Sequence, residues 1–222
     1  WASHRFNPVL CSGNDPSSLW RCFPLLSGRQ QQRERLMKIP AHKTTIMVHC
    51  LDTPTGWRYG QSAIGIMKEV TRWHVVERGW SAVAYAMLCT YSGDTAKGRD
   101  LDGDGDVWEE TGAGARGWNT NTIHLALQGG KGGSATDKFE DHYTPAQDKW
   151  LRETISEIQR LAGRKMDVIG HNEVAAKACP CFNVGEWLAS APKPNRLRSA
   201  SEVPTHTHWL TALLQSLFGG KK

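Results

Sequence analysis

Two histidines and a cysteine carry the clearest chemical potential in this chain. His171 and Cys179 stand eight residues apart in the stretch His171-Asn-Glu-Val-Ala-Ala-Lys-Ala-Cys179-Pro-Cys-Phe182, and His49 closes the β-branched, apolar run Thr44–Cys50. A histidine at a strand end and a cysteine one irregular turn later can converge, and His49 can supply a third ligand. Three ligands of nitrogen and sulfur type leave one tetrahedral position open, which is the arrangement of a catalytic zinc rather than a structural one. Lys177 lies two residues before Cys179, so its ammonium can reach the open position. Taken singly, a histidine at a strand end is more often structural; the combination carries the reading. Cys181 competes with Cys179, but a residue two positions on in a tight turn points elsewhere, which favours Cys179. Glu173 can be read as a general base, but its place suits a carboxylate at a helix start, where the dipole favours negative charge.

These residues need elements to position them. Thr44–Cys50 reads as a strand delivering His49, and 52–60, with Pro54 and Gly56, as a loop. Ser62–Arg78 reads as a helix with Ile66, Val70, Trp73 and Glu77 on one stripe and Gly79 as its stop. Val83–Tyr91 is a predicted strand followed by the turn Ser92-Gly93-Asp94. Thr122–Leu127 is another, closed by Gly129-Gly130. The clearest helix is Pro145–Ala162. Thr144 caps it, Pro145 takes the first position, Gln147 completes a capping box, and Leu151, Ile155, Ile158 and Ala162 form the buried stripe up to Gly163. Met166–Gly170 then forms a short strand that delivers His171. Strands alternating with helices predict an α/β domain with a mixed central sheet flanked by helices and the site at the strand ends.

The whole chain has 222 residues and a net charge of +5. The charge is uneven: +3 falls on residues 1–36, +4 on 193–222, and −2 on the middle. A near-neutral core argues against nucleic-acid binding, whereas basic ends suit contact with an anionic surface. Residues 1–40 read as a disordered arm or an upstream extension, 41–191 as the zinc domain, 192–204 as a linker and 205–222 as a short amphipathic helix. In that last segment Trp209, Leu213 and Leu217 share a side, and Lys221 and Lys222 follow, a pattern suited to lying on an anionic membrane. Six cysteines at irregular spacing do not make a disulfide scaffold; Cys50 and Cys89, in apolar runs, are expected to be reduced core thiols. No signal peptide or membrane span is read in the sequence, which predicts synthesis in a cytoplasm.

Several blocks, in order, resemble the type 2 N-acetylmuramoyl-L-alanine amidase family, which includes phage amidase-type lysozymes and peptidoglycan recognition proteins. They are Met47-Val-His-Cys-Leu-Asp-Thr53, Val70-Thr-Arg-Trp-His-Val-Val-Glu-Arg-Gly-Trp80, Val83-Ala-Tyr85, Ala115-Arg-Gly-Trp-Asn119 through Gly130, and His171 to Phe182. The resemblance implies a zinc enzyme cutting the amide between N-acetylmuramic acid and L-alanine in bacterial peptidoglycan. It implies His49, His171 and Cys179 as ligands, and Lys177 and Tyr85 as the catalytic pair. Trp57, Arg116, Trp118 and Asn119 are candidate substrate contacts, with plain packing an equal reading for Trp57, Trp118 and Asn119. A phage or prophage lysis enzyme follows, expected to be a monomer made in a host cytoplasm and acting on the wall after release. The chain departs from the family's pattern at Leu51, at Ala86 and at Gly114, the last two being places where relatives carry histidine.

A binding-only peptidoglycan recognition module is the alternative, but its members usually lack the cysteine ligand present here as Cys179. A zinc deaminase needs a second cysteine three residues after Cys181, and Val184 stands there. Asp100-Leu-Asp-Gly-Asp-Gly-Asp106 resembles the start of a calcium loop, but Thr111 holds the twelfth position in place of glutamate, and an acidic turn is the simpler reading.

Overall fold

A computed structural model describes residues 38–190. Residues 1–37 of the expected arm, the linker and the amphipathic C-terminal helix lie outside these residues; Ile39, placed in that arm by the sequence, is buried in the core instead.

Five strands form one sheet in the order β3-β2-β4-β1-β5. They are β1 (Thr45–Cys50), β2 (Met87–Cys89), β3 (Thr95–Lys97), β4 (Thr122–Leu127) and β5 (Asp167–Gly170). Strands β1, β2, β4 and β5 are parallel, and β3 pairs antiparallel with β2, so the sheet is mixed as expected. Every residue of β1 and β4 is buried, because helices cover both faces of these central strands. On one face Ile46, Val48, Leu125 and Leu127 pack with Leu151, Ile155 and Ile158 of the long helix. On the other, Leu88 and Ala126 pack with Ala63, Ile66, Met67 and Val70.

The helices are α1 (Ala63–Arg72), α2 (Phe139–His142), α3 (Pro145–Ala162) and α4 (Val184–Ala189). Helix α3 has the limits read from the sequence. The Thr144 hydroxyl accepts from the Gln147 N–H, the Gln147 side chain returns to the Thr144 N–H, and Gly163 ends the helix in the left-handed region at φ 63°. Leu151 is fully buried. Leu151→Ala should lower the unfolding free energy by about 2–5 kcal/mol, read from urea denaturation with an unchanged slope.

Two expected elements differ. The Ser62–Arg78 helix holds α-geometry only to Arg72; Trp73–Glu77 widens into a π-turn, in which the Arg78 N–H donates to the Trp73 carbonyl at 3.2 Å. The wider turn carries His74 into the interior and leaves Glu77 exposed, so Glu77 is not on the buried stripe. The Val83–Tyr91 strand shrinks to Met87–Cys89. Before it, side chains replace much of the ladder. The Arg99 guanidinium donates to the carbonyls of Ala82 and Val83, and His74 Nδ1 accepts from the Ala84 N–H. Strand β3 was not expected; it follows the Ser92-Gly93-Asp94 turn, where Gly93 takes φ 88°. No helix among the described residues is long and apolar enough to cross a membrane.

Candidate metal centre and cleft

Strand register explains why two distant histidines meet. The last pair between β1 and β5 is Val48 opposite Gly170, so one further step along both strands sets His171 beside His49. Their ring centroids are 4.7 Å apart. After β5 the chain turns through a single 3₁₀ turn, His171–Glu173, and Glu173 accepts from the Gly170 N–H at 2.6 Å, so its carboxylate closes this turn. The loop then returns over the end of β1, where Cys179 Sγ accepts from the Cys50 N–H at 3.2 Å. Asn172 Nδ2 donates to the Phe182 carbonyl and fastens the loop.

His49, His171 and Cys179 each present one ligand atom, all within 4.8 Å of one another. His49 Nδ1 lies 3.8 Å from Cys179 Sγ. Tetrahedral zinc holds a nitrogen and a sulfur ligand about 3.5 Å apart, so the donor set fits this ion with little adjustment. Burial holds His49 well below the usual histidine range and lowers His171 too, with the Lys177 charge adding to both. Both rings are thus neutral at physiological pH, the form that ligates. Hydrogen bonding to Cys50 and burial keep the Cys179 thiol protonated in the absence of a cation; a bound cation favours the thiolate instead. Cys181 takes φ 72° and turns its thiol away, to the Gly130 carbonyl at 3.0 Å, which keeps it out of the ligand group. Cys50 and Cys89 are buried free thiols.

The three side chains lie in a cavity of about 460 Å³ that Tyr85, Trp73, Arg78 and Lys177 also line. A second groove shares Arg78, Trp80, His171 and Lys177 with it and runs on to Arg116 and Asn119. The Tyr85 ring sits 5.3 Å from that of His49, and burial raises its phenol above the ordinary tyrosine range, leaving the hydroxyl as a neutral donor.

Among curated proteins, the endolysin of Escherichia phage T7 is 34% identical over 143 residues, covering 64% of this chain and 83% of that protein. The endolysin of Enterobacteria phage T3 is 33% identical over the same shares. The chain belongs to the type 2 N-acetylmuramoyl-L-alanine amidase family. A solved structure of a Drosophila PGRP-LB variant in complex with tracheal cytotoxin shares the fold, with TM-score 0.53 at 17% identity over 68% of this chain and 82% of that one. No family model matches the chain.

Within this amidase-family chain the candidate substrate contacts separate. Arg116 and Asn119 line the groove, although Asn119 Oδ1 also accepts from the Ala115 N–H at 3.0 Å and so shapes the loop. Trp57 packs on Trp73 at 5.3 Å with Arg58 over its ring, and Trp118 is absent from the lining of both cavities. Three carboxylates, Asp100, Asp102 and Asp104, come within the same 4.8 Å limit. They also accept N–H groups of Gly103, Gly105, Asp104 and Asp106, so the loop closes on its own hydrogen bonds.

Two further histidines escaped the sequence reading. His74 stacks on Trp80 at 4.8 Å and holds the segment before Tyr85 through the Ala84 N–H. Burial, with the Arg78 charge, lowers it to about 4. A depressed histidine pKa stabilises the fold fully above the unfolded value of about 6.5, and that contribution fades as pH falls towards 4. An NMR titration of the His74 ring should show its midpoint near 4, with on the order of 2 kcal/mol of stability lost between pH 7 and 4; a midpoint at 6.5 would contradict its buried placement. His124 is the second: Nδ1 lies 2.9 Å from His49 Nε2. Burial first, then Lys43, His171 and Arg99, lowers it to about 3. Its signal was a lone polar residue inside the apolar run Thr122–Leu127. Its ring also explains Gly114: a Cβ there would lie 2.6 Å from His124 Nδ1.

Proposed function

We propose that the protein hydrolyses the amide between N-acetylmuramic acid and L-alanine in bacterial peptidoglycan, with zinc held by His49, His171 and Cys179. The observation that carries this reading is the convergence of three ligand atoms from β1, the end of β5 and the following loop at the floor of a cleft. Family membership supports the same reaction. Zinc, when bound, activates water at neutral pH and polarises the scissile carbonyl.

The chain's own side chains do the rest. Lys177 is exposed on the cleft wall and acts electrostatically on both ligand histidines, so its ammonium can donate to the oxygen that gains charge as the carbonyl becomes tetrahedral. The neutral Tyr85 hydroxyl, in the same cavity and with its ring 5.3 Å from that of His49, can donate to the attacking water or to the same oxygen. Arg78, Arg116 and Asn119 extend polar contacts along the groove and suit a glycan or peptide strand. Water adds hydroxyl to the lactyl carbonyl carbon, the C–N bond breaks, and the departing nitrogen takes a proton to become the amine of L-alanine.

Chelator-stripped protein should leave the turbidity of purified cell-wall sacculi unchanged, and stoichiometric zinc should restore clearing. Full clearing by the stripped protein would overturn the metal reading, and tight binding without clearing after zinc is restored would make the chain a recognition module.

A further inference from the structure

His124 contacts a ligand without belonging to the ligand group. His49 presents Nδ1 towards Cys179 and Nε2 towards His124 Nδ1. A ring nitrogen that ligates a cation carries no proton, so the remaining proton of a neutral His49 sits on Nε2. Nε2–H then donates, and His124 Nδ1 must be the acceptor. This fixes the proton of His124 on its own Nε2. That atom is buried and has no hydrogen-bond partner among the described residues.

An orphaned donor is a poor choice for mere packing, because an apolar side chain of similar size would leave no polar group unsatisfied. The surroundings are nevertheless cleared for an imidazole. A Cβ on Gly112 would overlap His124 Cδ2, and one on Gly114 would crowd Nδ1. The other residues of β4 are the apolar Ile123, Leu125, Ala126 and Leu127 and the buried Thr122, whose hydroxyl donates to Asn121 Oδ1 at 3.4 Å. Besides His49, the charged and titratable groups that act on His124 are Lys43, His171 and Arg99, all of them basic. The usual outer partner of a metal-bound histidine is a carboxylate, carbonyl or water; here an imidazole takes that place.

We propose that His124 is a positioning residue for the zinc ligand His49, accepting its Nε2 proton so that Nδ1 stays bare and aimed at Cys179 and His171. The inference rests on the zinc reading above. His124 is not among the residues lining either cavity, so its influence passes through His49.

Chelator competition on the purified chain measures this without any turnover. His124→Leu should weaken zinc binding by about 10–100-fold. His124→Asn, whose amide oxygen can stand near the Nδ1 position, should recover most of the affinity. Zinc-free thermal melts of both variants report any loss of fold. In the unaltered chain, long-range ¹H–¹⁵N spectra should find the His124 proton on Nε2 and Nδ1 accepting, a readout that needs no variant. Equal zinc affinity in His124→Leu, an equal loss in His124→Asn, or a proton on His124 Nδ1 would overturn the proposal. If the unaltered chain takes up no zinc, the metal reading and this inference fall together; if it binds zinc and His124→Leu binds as well, only the role of His124 falls.

Discussion

Alanine in place of Cys179, His49 or His171 should abolish stoichiometric zinc and lower wall hydrolysis by about 10³-fold or more. Each supplies one of three ligand atoms within 4.8 Å, and two ligands leave a weak and misshapen site. The two histidine variants carry a further consequence. His49 and His171 are buried at 1% and 7% exposure, so alanine there also opens space beneath the cleft. Cys179 is only partly buried, and Cys179→Ala is therefore the cleaner test, expected to keep the fold by circular dichroism while losing metal by elemental analysis. Full clearing of sacculi by Cys179→Ala would remove the thiolate from the mechanism.

Lys177→Ala should behave differently. The side chain is exposed, its backbone N–H is held by the Ala175 carbonyl, and it acts on His49 and His171 through its charge alone. Zinc content and melting temperature should stay unchanged, while kcat falls by about 10²–10³, or about 2.7–4 kcal/mol of lost oxyanion stabilisation. Tyr85→Phe should shift kcat in the same direction. If both variants clear walls at the normal rate, the two donors serve neither the water nor the oxyanion.

How much of this was legible in the sequence depended on where the signal sat. Helix α3 could be drawn to the residue because its cap, its proline, its stripe and its terminal glycine are all local. Strands β1 and β4 were legible as apolar runs, since parallel strands buried on both faces carry no alternation. The Val83–Tyr91 segment misled because it has strand composition, yet its first half finds hydrogen-bond partners in Arg99 and His74, both brought there by folding. The π-turn at Trp73–Glu77 was hidden for a similar reason: tertiary packing of His74 against Trp80 and Tyr85 sets the winding, not helix propensity.

The three residues that the fold brings within 4.8 Å, His49, His171 and Cys179, could be grouped from sequence because one pair is close in the chain and the third ends a recognisable strand. His124 was missed because its meaning depends on a strand register, Met47 opposite His124, which sets it on the same face of the sheet as His49. For Trp57 and Trp118 the sequence leaves cleft lining and packing as equal readings, because a tryptophan suits either; in the fold Trp57 packs on Trp73.

The central claim is the bond that is cut, and mass spectrometry of peptidoglycan digested by the zinc-loaded protein tests it most directly. The account predicts intact glycan strands whose muramic acid ends in a free lactyl carboxyl group, together with released stem peptides that begin at a free L-alanine amine. New reducing sugar ends, or cuts within the stem peptide with the muramic acid amide left whole, would contradict it.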